Sequence, residues 1–116
     1  MEVQSIADQL VRLCREGKNQ EAKDLFYADD IVSIEGNGES SKGIKALAVK
    51  SQAFYNSIVS FNGITISNPI VAKDHFAVQI SMDLTAQNGY NLVMNEIAVY
   101  TVKDSKIVTE QFFYNS

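Results

Sequence analysis

The chain has 116 residues, 46% hydrophobic and 21% charged, with a formal net charge of −4. That length predicts a single domain burying roughly 65% of its unfolded surface, and the composition excludes a disordered chain. The ten Lys and Arg are scattered instead of forming a stripe, and no apolar run approaches the ~18 residues of a membrane span, so neither nucleic acid nor a bilayer is an expected partner.

Val3, Ile6, Leu10 and Leu13 recur at steps of three and four, which places them on one face of a first helix ending near Gly17. The stretch 1–15 has no signal-peptide core, so a cytoplasmic location is expected. Cys14 is the only cysteine and has no Cys or His at metal-ligand spacing; beside Leu10 and Leu13 it reads as a packed thiol. Ala22, Leu25 and Phe26 mark a short second helix running to about Tyr27. Ala28-Asp29-Asp30 reads as a polar turn, and Ile31 to Glu35 as a short strand closed by Gly36-Asn37-Gly38. Ser40 and Ser41 offer N-caps for a third, longest helix in which Ile44, Leu47, Ala48, Phe54 and Ile58 keep the period.

From Phe61 onward the period falls to two, predicting four strands at about 62–72, 75–86, 91–103 and 106–114. Lys73-Asp74, Asn88-Gly89 and Asp104-Ser105 suit tight hairpins, so these strands are antiparallel neighbours. Helices first and strands afterwards predict an α+β fold with the helices on one face of the sheet. Along 76–84, Phe76, Val78, Ile80, Met82 and Leu84 share the face assigned to the helices. Along 91–103 both faces are apolar: Val93, Ile97 and Val99 on one, Leu92, Met94, Ala98, Tyr100 and Val102 on the other. Taking the first set as inward leaves Met94, Ala98, Tyr100 and Phe113 outside, an apolar face that predicts a homodimer across the sheet.

The stretch Leu25 to Glu35, then Gly36 and Ser41-Lys42-Gly43 before a helix, together with the ending Asn95 to Tyr114, resembles the SnoaL-like branch of the nuclear transport factor 2-like superfamily. The element order matches over one domain, 1–116. The resemblance implies a cystatin-like cone: three helices packed into a strongly curved antiparallel sheet, a pocket open at the wide end, and dimerisation across the outer sheet face. This superfold hosts isomerases, cyclases, dehydratases and non-catalytic modules, so function has to be argued residue by residue. Similarity to ketosteroid isomerase places Glu35 where that enzyme carries its general-base carboxylate. The positions of its two oxyanion donors fall on Leu10 and Ile97, neither of which can donate a hydrogen bond, so the steroid reaction is not expected. The histidine-aspartate pairs of the polyketide cyclases are unmatched, since the only histidine, His75, falls in a predicted turn.

Strand parity places Glu110, Phe112 and Tyr114 inside, and Asn95 shares the assumed inward parity of Ile97. Glu35 and Glu110 are therefore the candidate catalytic pair, and Phe54, Tyr55, Ile80, Met82, Leu84, Asn95, Ile97, Phe112 and Tyr114 the candidate ligand-binding wall. Two carboxylates in a mostly apolar pocket push one pKa up and supply an acid and a base near neutral pH. The competing reading makes Glu35 a solvated strand end and Glu110 part of a satisfied polar patch. Glu96 is assigned to the outer face. No metal site or cofactor signature is visible. Three functions stand: a domain binding a small apolar or amphipathic molecule, a cofactor-free lyase or isomerase with Glu35 as general base, and a structural dimerisation module with a vestigial cavity.

Overall fold

The computed structural model describes residues 2–114. Helices α1 (Val3–Arg15) and α2 (Asn19–Phe26) lead into strands β1 (Tyr27–Ile34) and β2 (Ser40–Lys42); α3 (Ile44–Asn56) follows, then β3 (Ile58–Ile66), β4 (Ile70–Ala72), β5 (His75–Ala86), β6 (Asn91–Lys103) and β7 (Lys106–Phe113). One sheet runs β2-β1-β7-β6-β5-β3, with β4 sharing the β5 edge with β3. The fold is the expected α+β arrangement of three helices on a sheet. The sheet is mixed, however, because β1 and β7 pair in parallel. No hairpin joins those two strands, so nothing local forces them to be antiparallel.

Several boundaries differ from the sequence reading for local reasons. Pro69 has no N–H to give a ladder, and it lies in the gap that splits the predicted strand 62–72 into β3 and β4. Ser40 and Ser41 pair with β1 as β2, and the N-cap of α3 is Gly43. Its φ of 93° turns the chain from strand to helix, and its N–H donates to the Ile31 carbonyl at 2.7 Å. Ala28-Asp29-Asp30 belongs to β1, where the ladder to β7 shifts register between Tyr27 and Val32.

The main core lies between α1, α2 and the middle of the sheet, where Ile6, Ile31, Phe76 and Ile107 are fully buried. Helix α3 buries only Leu47. It therefore covers its half of the sheet loosely, and space remains beneath it.

The inward face of β6 is the reverse of the one expected. Val78 pairs with Ala98 and Met82 with Met94, so Met94, Glu96, Ala98, Tyr100 and Val102 point the same way as the inward residues of β5. Asn95 and Ile97 point outward. The cause is the β5–β6 loop: Gln87, Asn88 and Gly89 separate Ala86 from Tyr90, whose backbones bond at 2.9 Å, and of the three only Gly89 has positive φ. A three-residue loop shifts register by one against a two-residue turn, and a one-residue slip turns every side chain over. Ala98 and Tyr100 are buried, and the outer face instead presents Val93, Ile97 and Phe113, which are 63%, 48% and 49% exposed.

Candidate functional site

The inner face of the sheet and α3 enclose a cavity of about 420 Å³ that brings Glu35, Glu96 and Glu110 to one space. Each carboxylate arrives by a different route. Glu35 follows directly on the C-terminal end of β1. Glu110 is opposite Ser33 on β1 and Tyr100 on β6. Glu96 sits opposite Ile80 on β5. Phe54 and Tyr55 from α3, Met82 from β5, Met94 and Tyr100 from β6, and Phe112 from β7 supply the apolar wall.

Of the predicted site residues, Glu35, Glu110, Phe54, Tyr55, Met82, Phe112 and Tyr114 line this cavity. Ile80 lies on the inward face of β5, and Leu84 is fully buried, but neither is part of the cavity wall. Asn95 and Ile97 are on the outer face, where the Asn95 side chain accepts a hydrogen bond from Ser81 at 2.6 Å. Glu96, assigned to the outer face, lines the interior. The wall is also less apolar than expected, since Lys23, Lys50 and Glu39 join the three carboxylates.

Lys50 is the residue that sequence reasoning missed. Its ammonium donates to the Ser33 hydroxyl at 2.7 Å and forms an ion pair with one Glu35 oxygen, while it lies 5.8 Å from the centre of the Phe112 ring. The other Glu35 oxygen accepts the Tyr114 hydroxyl at 2.9 Å. Tyr114 can reach it because Gly36 has no side chain; a Cβ there would come within 3.1 Å of the Tyr114 ring. The signal for Lys50 was present: Leu47, Lys50 and Phe54 recur at three and four along α3, which puts this lysine on the inward stripe.

The other two carboxylates differ from each other. Glu110, 5% exposed, accepts the Tyr27 hydroxyl. Burial holds the Tyr27 and Tyr100 hydroxyls well above the usual phenol range, so both remain donors. Tyr100 stacks on Phe76 with ring centres 4.7 Å apart, and its hydroxyl has no hydrogen-bond partner among the described residues. Glu96 likewise has none. Loss of water pushes the Glu96 carboxyl up, the negative charges of Glu35 and Glu110 add to this, and Lys50 opposes it.

The unfolded chain ionises Glu96 at the ordinary carboxyl value, while the folded chain resists ionisation. Its contribution to stability is thus full below the ordinary value and is lost as pH rises through the raised folded one. Glu96→Gln should therefore melt higher than the wild type at about pH 8 and no higher below about pH 4. Melts at the two pH values check the sign, and an equal shift at both would contradict it.

A second, larger cavity of about 800 Å³ lies between the α1–α2 turn, α3 and β3. It is lined by Cys14, Ile44, Leu47, Phe61 and Ile64 among others. Its acids belong to the helix surface, Glu16 being paired with Lys18 at 3.1 Å. Burial raises the Cys14 thiol, which keeps it protonated. The candidate acid–base groups therefore gather in the smaller cavity, although Lys23, Tyr27, Ser51 and Tyr55 border both.

The sequence profile of the SnoaL-like domain matches residues 1–114. The chain belongs to the SnoaL-like domain family. It is similar to a Mesorhizobium loti protein assigned to the SnoaL-like polyketide cyclases, at 34% identity and a TM-score of 0.92 over 98% of this chain and 100% of that one. A Jannaschia protein with the same assignment has 16% identity and a TM-score of 0.80 over 98% and 87% of the two chains. A Catenulispora acidiphila protein of ketosteroid isomerase-like fold, solved with trimethylamine, has 14% identity and a TM-score of 0.74 over 95% and 85%. The last two show a shared fold only. No curated protein sequence matches the chain.

Proposed function

We propose that this SnoaL-like domain moves a proton on a small carbonyl compound, as an isomerase, lyase or cyclase, with Glu35 as the general base. The observation that supports this reading is the shared cavity: a carboxylate whose direction is fixed by Lys50 and Tyr114 faces the same space as the unpartnered Tyr100 hydroxyl. Proton abstraction beside a carbonyl needs a base and a donor for the oxyanion that develops, and one such donor is typically worth about 3–4 kcal/mol. Leu10 and Ile97 supply no donor. Tyr100 takes that role here from a different strand position, kept protonated by burial.

A second reading is a binding module without turnover. It is favoured by the Glu35 carboxylate, both of whose oxygens already accept hydrogen bonds. The two separate on a probe that needs only a base. In 5-nitrobenzisoxazole, removal of the C–H proton breaks the N–O bond and releases a coloured phenoxide. The wild type should catalyse this opening, and Glu35→Gln should lose about 100-fold or more in kcat/KM with its melting temperature held. A wild type no faster than buffer, or a Glu35→Gln variant as fast as the wild type, would leave the binding module as the better account.

A further inference from the structure

We infer that the larger cavity, between the α1–α2 turn, α3 and β3, is a second ligand site, one that takes a carboxylic acid whose apolar body is the size of a medium-length acyl chain. The inference does not depend on the proton-transfer reading, because Glu35, Glu96 and Glu110 all lie outside the wall of this space.

The hollow follows from the local chain. The Lys18 N–H donates to the Leu13 carbonyl at 2.8 Å and the Gly17 N–H to the Cys14 carbonyl at 3.1 Å, with Gly17 at a φ of 77°. This pair of bonds closes α1 in a tight turn before it can cover β3. Helix α2 adds only eight residues, and α3 buries only Leu47. Phe61 and Ile64 of β3 lie opposite Leu84 and Met82, so they point to the helix side of the sheet, yet they remain 47% and 43% exposed. Ile44 and Tyr55 are exposed on the facing wall. Large apolar side chains scattered over a convex surface need no explanation, but four of them facing one hollow of about 800 Å³ have the size and character of a small-molecule site. The walls are also tied together without a ligand: Tyr55 and Phe61 have ring centres 5.7 Å apart, and the Asn19 amide donates to the Tyr55 hydroxyl at 3.3 Å.

Charge on the wall selects the head group. Lys23 of α2 is half-buried, donates to the neutral Ser51 hydroxyl at 3.2 Å and has no carboxylate within ion-pair distance among the described residues. The acids of this wall are exposed to water. Glu16 is held by Lys18, and Asp24 accepts the Gln20 amide at 2.8 Å. Arg15, exposed as well, donates to the Ile66 carbonyl at 2.6 Å and to the Asn68 side chain at 3.0 Å, both neutral acceptors. The half-buried charge without an opposite is therefore a cation, and a carboxylate complements it through a charge-assisted hydrogen bond that a hydroxyl cannot match.

Nonanoate and nonan-1-ol test this, since they share a chain and differ in the head, and methyl-labelled protein reports where each one sits. Titration of nonanoate should shift the methyl signals of Ile44, Leu47 and Ile64, with saturation below about 1 mM, and leave Met94 in the smaller cavity unmoved. No saturation at that concentration, or shifts that centre on Met94 and spare Ile44 and Ile64, would overturn the inference. Lys23→Met should weaken nonanoate about tenfold and leave nonan-1-ol unchanged. Equal effects on the two would overturn the assignment of the head group to Lys23. Ala48 is exposed on the cavity side of α3, so Ala48→Trp should melt as the wild type does while its indole displaces both ligands. Wild-type affinity for nonanoate in a folded Ala48→Trp protein would place the chain elsewhere and overturn the site.

Discussion

Placing Asp at Ala98 should abolish folding at neutral pH. Ala98 is fully buried in the middle of β6, between Val78 on β5 and Phe112 on β7. A carboxylate there has no cation opposite it on either neighbouring strand. An unpaired buried ion costs several kcal/mol even after relaxation, and overpacking adds about 1–3 kcal/mol. A domain of this size holds only about 5–15 kcal/mol in total. Circular dichroism at pH 7 should show the helical and strand signals lost, and a cooperatively melting Ala98→Asp protein would mean that β6 faces the other way. The neighbouring change Ile97→Asp falls on the half-exposed outer face and should shift stability by about 0.5 kcal/mol or less. If two copies pair across this outer face instead of the one expected from the sequence, Ile97→Asp is the substitution that separates them by sedimentation.

These neighbouring positions also mark where the sequence stopped being legible. Period and turn residues locate the strands, because a half-buried strand must alternate and a reversal needs Gly, Asn or Asp. They orient a strand only when one face is polar. The β5 strand meets that condition through Gln79, Ser81 and Asp83; β6 does not, since both of its faces are apolar. Its orientation then depends on the register of one loop. A two-residue turn at Asn88-Gly89 would set Met82 opposite Asn95, whereas the actual three-residue loop sets it opposite Met94. Glu110, Phe112 and Tyr114 nevertheless face inward as expected, because a second irregularity cancels the first. Val108 is the extra residue between the pairs Thr101–Thr109 and Val102–Ile107. A bulge of this kind flips the strand back, and nothing in a β-branched run announces it.

The site was legible in two ways. Strand parity put Glu110, Phe112 and Tyr114 inside, whereas Glu35 was located by the resemblance to ketosteroid isomerase. Glu96 was hidden by the same register slip that misplaced Asn95 and Ile97. Lys50 was hidden for a different reason: a lysine on an inward helical stripe usually extends its stem and places its charge in water. Here the ammonium finds Glu35 and Ser33 before it finds solvent, because α3 stands off the sheet and leaves room beneath it.

Removing a single oxygen atom with Tyr27→Phe should cost about 2–4 kcal/mol, far more than a phenol hydroxyl usually contributes. The hydroxyl of Tyr27 donates to Glu110, and both residues are buried, at 8% and 5% exposure. A hydrogen bond to a charged group is worth about 1.5–3 kcal/mol, and a buried acceptor left without its donor adds its own desolvation cost. The volume change is minimal, so a cavity term cannot account for the loss. Tyr100 opposite Glu110 is the nearest alternative donor on the adjacent strand, but its ring is held by stacking on Phe76. The loss should therefore be largely a penalty on Glu110 itself, which a double-mutant cycle can isolate. Glu110→Leu in the Tyr27→Phe background should recover most of the stability, whereas Glu110→Leu alone should leave the Tyr27 hydroxyl stranded and destabilise the fold. Urea denaturation of the four proteins measures the coupling. Strictly additive losses would mean that Tyr27 and Glu110 are merely neighbours and that the carboxylate is satisfied by water within the cavity.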